Sequence, residues 1–226
     1  MAIDFENGSL QNITIPDVAA LEISGEITLC AWCKIESTGG IRGIIYKGIG
    51  NNQENWLRLY DNDLHGGTWA SVGGDTKVVH TLTESELTDW HHFATVYDGS
   101  AWKLYINAVE EASLTTDQGA RIASGVGWAI GSNSISSRYF DGLIDDARIY
   151  NRGLSPQEIG VIYTTKGTDY IIDGLSARWL MIELQPGVPA SGAGMIKDET
   201  INLNHGTPNN SPIYAETIIR PTKMAI

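Results

Sequence analysis

The chain has 226 residues, of which 42% are hydrophobic, and its 15 Lys+Arg against 27 Asp+Glu give a formal net charge of −12. That balance argues against nucleic acid, whose phosphates need clustered Lys and Arg, and equally against insertion into or docking on an anionic membrane. No run approaches the roughly 20 apolar residues of a membrane span, while an acidic surface suits cations, calcium among them, and neutral ligands such as glycans.

In chain order, the N-terminal MAIDFENGSL lacks a basic n-region and reaches acid by Asp4, so no secretory signal is expected. The protein is then cytosolic, exported by another route, or excised from a longer cell-surface or extracellular chain. Turn signals recur at Asn7-Gly8, Gly39-Gly40, Gly66-Gly67, Gly73-Gly74, Asp98-Gly99 and Asp141-Gly142. Short runs rich in Ile, Val, Tyr, Trp and Thr lie between them and predict strands. They are Ile3–Phe5, Ile13–Ile15, Glu26–Ile35, Ile44–Lys47, Trp56–Tyr60, Gly67–Val72, His91–Tyr97, Trp102–Ile106, Trp128–Gly131 and Gly142–Tyr150. Many short strands with little helix predict an all-β, two-sheet sandwich or jelly roll.

The only cysteines, Cys30 and Cys33, form a CxxC. Their context, ITLCAWCKI, is a strand pattern, which sends positions i and i+3 to opposite faces about 10 Å apart along the chain. A disulfide needs Cα atoms within about 7 Å, and no further Cys or His at suitable spacing completes a zinc site. Two buried free thiols are expected.

Ser155-Pro156-Gln157-Glu158 combines an N-cap Ser, Pro at the first helical position and Glu at N3. A helix of roughly two turns should follow, with Ile159 and Ile162 on its apolar face, packed on the sandwich edge. Beyond Gly167 the texture changes. Leu175–Leu184 reads as a strand around Trp179, and 185–213 as loop, with too few apolar positions for a core of its own.

Several of these stretches resemble the laminin-G-like, concanavalin A-like jelly-roll superfamily. ITLCAWCKI is similar to its sheet strand with a central Trp, and LTDWHHFATVYDGSAWKLYIN to its Trp-His strand, Asp-Gly hairpin and following strand. The most specific stretch is YFDGLIDDARIYNRGLSPQEI, which resembles the closing Gly-x-Ile-Asp-Asp-x-Arg-Ile-Tyr strand and the Leu-Ser-x-x-Glu-Ile helix. The resemblance covers residues 1–163 and implies that Trp32 and Trp90 are core residues. It also implies that 178–214, with Arg178-Trp179, Asp198, Asn204-His205-Gly206 and Pro212-Ile213-Tyr214, is the first half of the family's opening. The second half stands at 1–16. Read from Lys223-Met224-Ala225-Ile226 into Met1-Ala2-Ile3, the chain restores that opening. Residues 1–165 are thus a jelly-roll core, and 166–226 a segment that completes the same sandwich, as in a circular permutation, or that of a neighbouring copy in a homo-oligomer.

Hydrolases of this fold carry a Glu-x-Asp-x-Glu cluster on one strand. None occurs here. Asp61-x-Asp63-x-His65 reads as a hairpin turn and Glu84-x-Glu86 as a polar link, so no catalytic residue is expected and a glycoside hydrolase is the remotest reading. The resemblance further implies a structural calcium held by Asp145, with Asp198 and carbonyls near Glu6 and Gly206 as further donors. Glycan recognition needs aromatic faces and polar partners. Trp56, Tyr60, Trp69, Trp128 and Tyr139 could supply the first, Arg58 and Asn133 the second. The function expected is non-catalytic glycan binding or adhesion, at a cell surface or on a virion protein. The alternative is a structural assembly protein, such as a virion decoration or fibre component.

Overall fold

Strand pairing organises the computed structural model, which describes residues 1–49, 52–70, 74–121, 125–133 and 138–217. Val72, Gly73, most of the Ser132–Ser137 link and the final Met224-Ala225-Ile226 lie outside the described residues. The first half builds β1 (Ala2–Phe5), β2 (Asn12–Ile15), β3 (Ile27–Ile35), β4 (Ile41–Ile49), β5 (Asn52–Tyr60), β6 (Asp63–Ala70) and β7 (Gly74–Thr81). After a short helix α1 (Glu84–Thr88) come β8 (Trp90–Tyr97), β9 (Ala101–Ile106), β10 (Val109–Thr115), β11 (Trp128–Ile130) and β12 (Gly142–Tyr150). Helix α2 (Pro156–Thr165) and the short strands β13 (Leu175–Trp179), β14 (Thr207–Asn209) and β15 (Ile213–Ala215) complete the described chain.

Two antiparallel sheets result. One, sheet A, runs β10-β9-β8-β3-β12-β1-β15, with β13 also paired to β12; the other, sheet B, runs β14-β2-β11-β4-β5-β6-β7. Alternation along each strand decides what lies between them. On β3, Leu29, Ala31 and Cys33 enter the core with Leu57, Leu64 and Phe93, while Cys30 belongs to a second apolar cluster outside sheet A. The two thiols are therefore free, buried and on opposite faces. Burial pushes the Cys30 thiol up to about 12, so it stays protonated and inert.

Four local expectations change. Strands β7 and β10 carry no clean apolar alternation, β10 being exposed at most positions; sheet pairing, not pattern, makes them strands. Residues 84–88 form α1 rather than a link, because Thr83 and Glu86 close a capping box. Helix α2 lies over the outer face of sheet A, where Ile159 and Ile162 join Cys30, Ala94, Val96 and Tyr150, rather than on an edge. Trp32 is 4% exposed under the stacked Tyr163 ring (5.5 Å between centroids), on the outer side of the sheet, and Trp90 is only partly buried at the start of β8.

The C-terminal segment pairs with strands of its own chain. Along one edge of β12, β1 takes the first half (Ile3 opposite Ile144) and β13 the second (Trp179 opposite Ala147), so two distant strands lie end to end. Strand β15 adds to β1, and β14 to β2. The regular part of β13 stops at Trp179, since Met181 turns to a positive φ of 53°. Trp179, Met181, Ile196 and Tyr214 are fully buried in the common core, and the Trp179 indole N–H donates to the Asn204 carbonyl at 2.9 Å.

A buried ionic network fastens this segment to β12. Asp146 sits in a bulge of β12 at φ 47° and accepts hydrogen bonds from Arg148 (2.6 Å) and Arg178 (2.8 Å). Arg148 also reaches Asp169 at 2.7 Å, with both side chains at or below 1% exposure. Burial pushes the Asp146 carboxyl up, but the two guanidinium groups outweigh it and hold it below the usual carboxylate range. No helix among the described residues is long and apolar enough to cross a membrane.

Candidate functional site

On β5, Leu57 and Leu59 point into the core, so Trp56, Arg58 and Tyr60 share the outer face of sheet B. Sheet register sets their neighbours. Tyr46 lies opposite Trp56, His65 opposite Arg58, and Trp69 opposite Asp75. The Arg58 guanidinium lies 4.3 Å from the Trp56 ring centroid, donates to the Tyr46 hydroxyl at 3.1 Å and pairs with Asp75 at 3.2 Å. Asp75 also takes Lys77 at 3.0 Å. From above, Arg138 donates to the same Tyr46 hydroxyl at 2.7 Å, carried on the segment that holds Tyr139.

This face therefore has two layers. Tyr46, Trp56, Arg58 and His65 are at most 3% exposed and form a fixed base. Trp56 is no sugar platform, because Arg58 already covers its ring. Tyr60, Trp69, Lys77, Arg138 and Tyr139 are partly open above that base. Burial and the nearby Arg58 and Lys77 charges hold the His65 imidazole down at about 4, so it is neutral near pH 7 and adds no charge to the face. Its Nδ1 and the Trp56 indole nitrogen have no hydrogen-bond partner among the described residues.

Two of the expected ligand residues stand elsewhere. Trp128 is 1% exposed on the core side, its indole N–H donating to the Leu21 carbonyl at 3.2 Å, so its ring is closed to ligand. Asn133 is buried where the covering segment begins, its carbonyl accepting from Ser132 at 2.7 Å. The members that sequence reading missed are Tyr46, His65, Asp75, Lys77 and Arg138. They sit on other strands or on the covering segment, and only cross-strand register brings them to Trp56, Arg58 and Tyr60.

The acidic residues do structural work. Asp61 accepts from the Gly40 N–H at 2.7 Å, Asp63 from the Thr81 hydroxyl at 2.6 Å, and Glu86 caps α1. The calcium donor set does not assemble as expected. The Asp198 carboxylate is taken by the N–H groups of Arg178, Thr200 and Asn204 and by the Thr200 hydroxyl. The Gly206 carbonyl accepts from the Ile196 N–H at 3.0 Å, and the Glu6 carbonyl from the Ser9 N–H at 3.0 Å. Asp145 is fully buried and accepts from the Asp146 N–H at 2.7 Å. Glu6 instead lies with Asp4 and Glu36, their carboxylate oxygens within 4.8 Å of one another; among the described residues this is the one such group, and neither Asp145 nor Asp198 belongs to it.

Comparison with known proteins bears on the fold. A family model described as the concanavalin A-like lectin/glucanases superfamily matches residues 7–160. A sequence comparison with curated proteins finds no match. Among solved structures, a candidate carbohydrate-binding protein from Bacteroides ovatus superposes with a TM-score of 0.68 at 20% identity, covering 95% of this chain and 61% of that one. The chain thus spans about three fifths of that relative's length. Domain 4 of a GH43 extracellular arabinanase from Geobacillus stearothermophilus, in complex with arabinotriose, gives a TM-score of 0.52 at 25% identity over 67% of this chain and 72% of that one. The binding domain of botulinum neurotoxin serotype G gives 0.58 at 13% identity, over 78% of this chain and 42% of that one.

Proposed function

Because the chain belongs to the concanavalin A-like lectin/glucanase superfamily, we propose that it is a non-catalytic carbohydrate-binding module whose ligand lies on the outer face of sheet B. The observation that carries this reading is the two-layered arrangement there. A partly open set of Tyr60, Trp69, Lys77, Arg138 and Tyr139 shares the face with a buried Tyr46–Trp56–Arg58 base, Arg138 being bonded to Tyr46 and Lys77 to Asp75. Aromatic edges beside fixed charged donors are what a saccharide ring needs: apolar C–H faces to cover and hydroxyls to bond. Fixing the donors in advance lowers the ordering cost of binding. The arabinanase domain, in complex with arabinotriose, supports the carbohydrate class. Within the superfamily, fold alone does not decide between lectin and hydrolase. The lectin side is favoured because the carboxylates singled out in the sequence are committed to turns and caps.

A glycan array with the wild-type chain, repeated with Tyr60→Ala and Arg138→Ala, tests this. Each variant should lose affinity by about tenfold or more for whichever glycan scores, as an aromatic or Arg contact does when truncated. A glycan bound equally well by both variants would move the site off this face. An oligomeric protein that binds no glycan would return the reading to structural assembly.

A further inference from the structure

A second recess lies apart from the base described above. Where Gly25–Glu26, the Asp98–Gly99 turn between β8 and β9, and residues 117–121 meet, a cleft of about 480 Å³ is lined by Glu26, Tyr97, Gly99, Asp117, Gln118 and Arg121, with glycines between them. That lies within the few hundred to a thousand Å³ typical of small-ligand sites.

Its walls are held firmly. Gly25 and Ala120 exchange backbone hydrogen bonds at 3.1 and 2.8 Å. The Trp102 indole donates to the Gln118 carbonyl at 2.8 Å, and the Tyr97 hydroxyl to the Thr116 carbonyl at 3.3 Å. At Gly119 a Cβ would stand 2.4 Å from the Tyr97 ring and 2.7 Å from the Gly25 carbonyl, so this wall has to be bare backbone. Each acid is anchored by one oxygen and has its other oxygen without a partner among the described residues. Glu26 Oε2 accepts from the Gly153 N–H at 3.1 Å, and Asp117 Oδ1 from the Gln118 amide at 3.0 Å. Arg121 is steadied by the Trp69 carbonyl at 3.1 Å.

The chemistry narrows the ligand. Two carboxylates disfavour an anion. Arg121 in the same lining disfavours a bare cation, and Glu26 and Asp117 belong to no metal-sized cluster among the described residues. Anchored carboxylate oxygens facing a polar, glycine-walled cleft suit hydroxyl donors, and the Gln118 and Arg121 side chains can donate in return. We infer that this cleft is a second saccharide subsite, taking a neutral sugar residue whose hydroxyls donate to Glu26 and Asp117. Arg121 bonds the backbone of Trp69, which belongs to the sheet B face, and so ties the cleft wall to that sheet. This inference rests on the carbohydrate reading proposed above.

Amide NMR titration separates the two. The probes are arabinotriose and neutral trisaccharides of glucose, xylose and mannose. The inference requires at least one of them to shift the Gly25, Gly99 and Gly119 amides saturably. It also requires the double variant Glu26→Gln/Asp117→Asn, both exposed side chains, to weaken that response about tenfold, from two lost charge-assisted hydrogen bonds. An unchanged melting temperature shows that the variant folds. Shifts confined to Tyr60, Lys77 and Arg138 would overturn the cleft and leave the sheet B reading standing. Shifts confined to the cleft would do the reverse, and no shift with any probe would remove both.

Discussion

Each sheet turns one side away from the core, and the two outward sides are finished in different ways. Outside sheet A, α2 and the chain after it close over Cys30, Trp32, Ala94 and Tyr150, and the Arg148 guanidinium is neutralised by Asp146 and Asp169 at 0–1% exposure. Outside sheet B the buried arginine, Arg58, pairs with Asp75 and lies against the Tyr46 and Trp56 rings, and the next layer out is partly open. Both use an arginine on a strand, but only one is sealed. A sealed, matched ion network specifies how segments dock, whereas a half-covered aromatic and cationic layer keeps surface for a ligand.

The comparison breaks most sharply at Arg148. Arg148→Met should cost about 3–5 kcal/mol in urea unfolding, because it leaves Asp146 and Asp169 buried with too little positive charge. A loss below about 1 kcal/mol would show that the network contributes little. Next comes the lid: Ile159→Ala should cost about 2–4 kcal/mol, as a fully buried aliphatic side chain does when cut back, and should leave glycan binding on sheet B unchanged. On the opposite side the pattern inverts. Tyr60→Ala and Lys77→Ala should stay within about 0.5 kcal/mol of wild type in stability, since both side chains are substantially exposed, yet weaken binding. A stability loss larger than the binding loss would erase the distinction between the faces.

The smallest effect concerns the strand that joins the two ends of the chain. Asp4 on β1 lies with Glu6 and Glu36, and burial, then Glu36, Glu6 and Asp141, push its carboxyl up to about 6. The folded chain then holds this proton more tightly than the unfolded one, so Asp4 favours folding at low pH and that contribution disappears as pH rises through about 6. Asp4→Asn should raise the melting temperature at pH 8 and leave it unchanged near pH 4. The gain is under about 1 kcal/mol, because Asp4 is partly exposed and solvent screens its neighbours. A variant less stable than wild type at pH 8 would contradict the charge account.

Much of the fold was legible because its signals are local. Turn dipeptides and runs rich in β-branched and aromatic residues marked β3, β8, β9 and β12, and Ser155-Pro156-Gln157-Glu158 announced α2 through a capping box that the structure contains. Strands β7 and β10 were not legible, since a strand without an apolar stripe is held by its neighbours. The candidate site was half legible. Trp56, Arg58 and Tyr60 were named by residue type and share one face, whereas Trp128, named on the same ground, faces the core, because type says nothing about the side to which a three-residue strand turns its ring. The two closing-strand acids part for a similar reason. Asp146, next to Asp145, takes the arginines because a bulge at that residue redirects its side chain.

From the amino-acid order alone came the all-β class, the inert thiols and the capped helix, all of which depend on contacts a few residues apart or on recognisable motifs. Tertiary structure alone decided that β1 and β13 share one edge of β12, that Arg58 lies over Trp56, and that Glu26 and Asp117 face one cleft. Those juxtapositions join segments far apart in the chain, and on the strands a one-residue slip in register would send a side chain such as Arg58 to the opposite face.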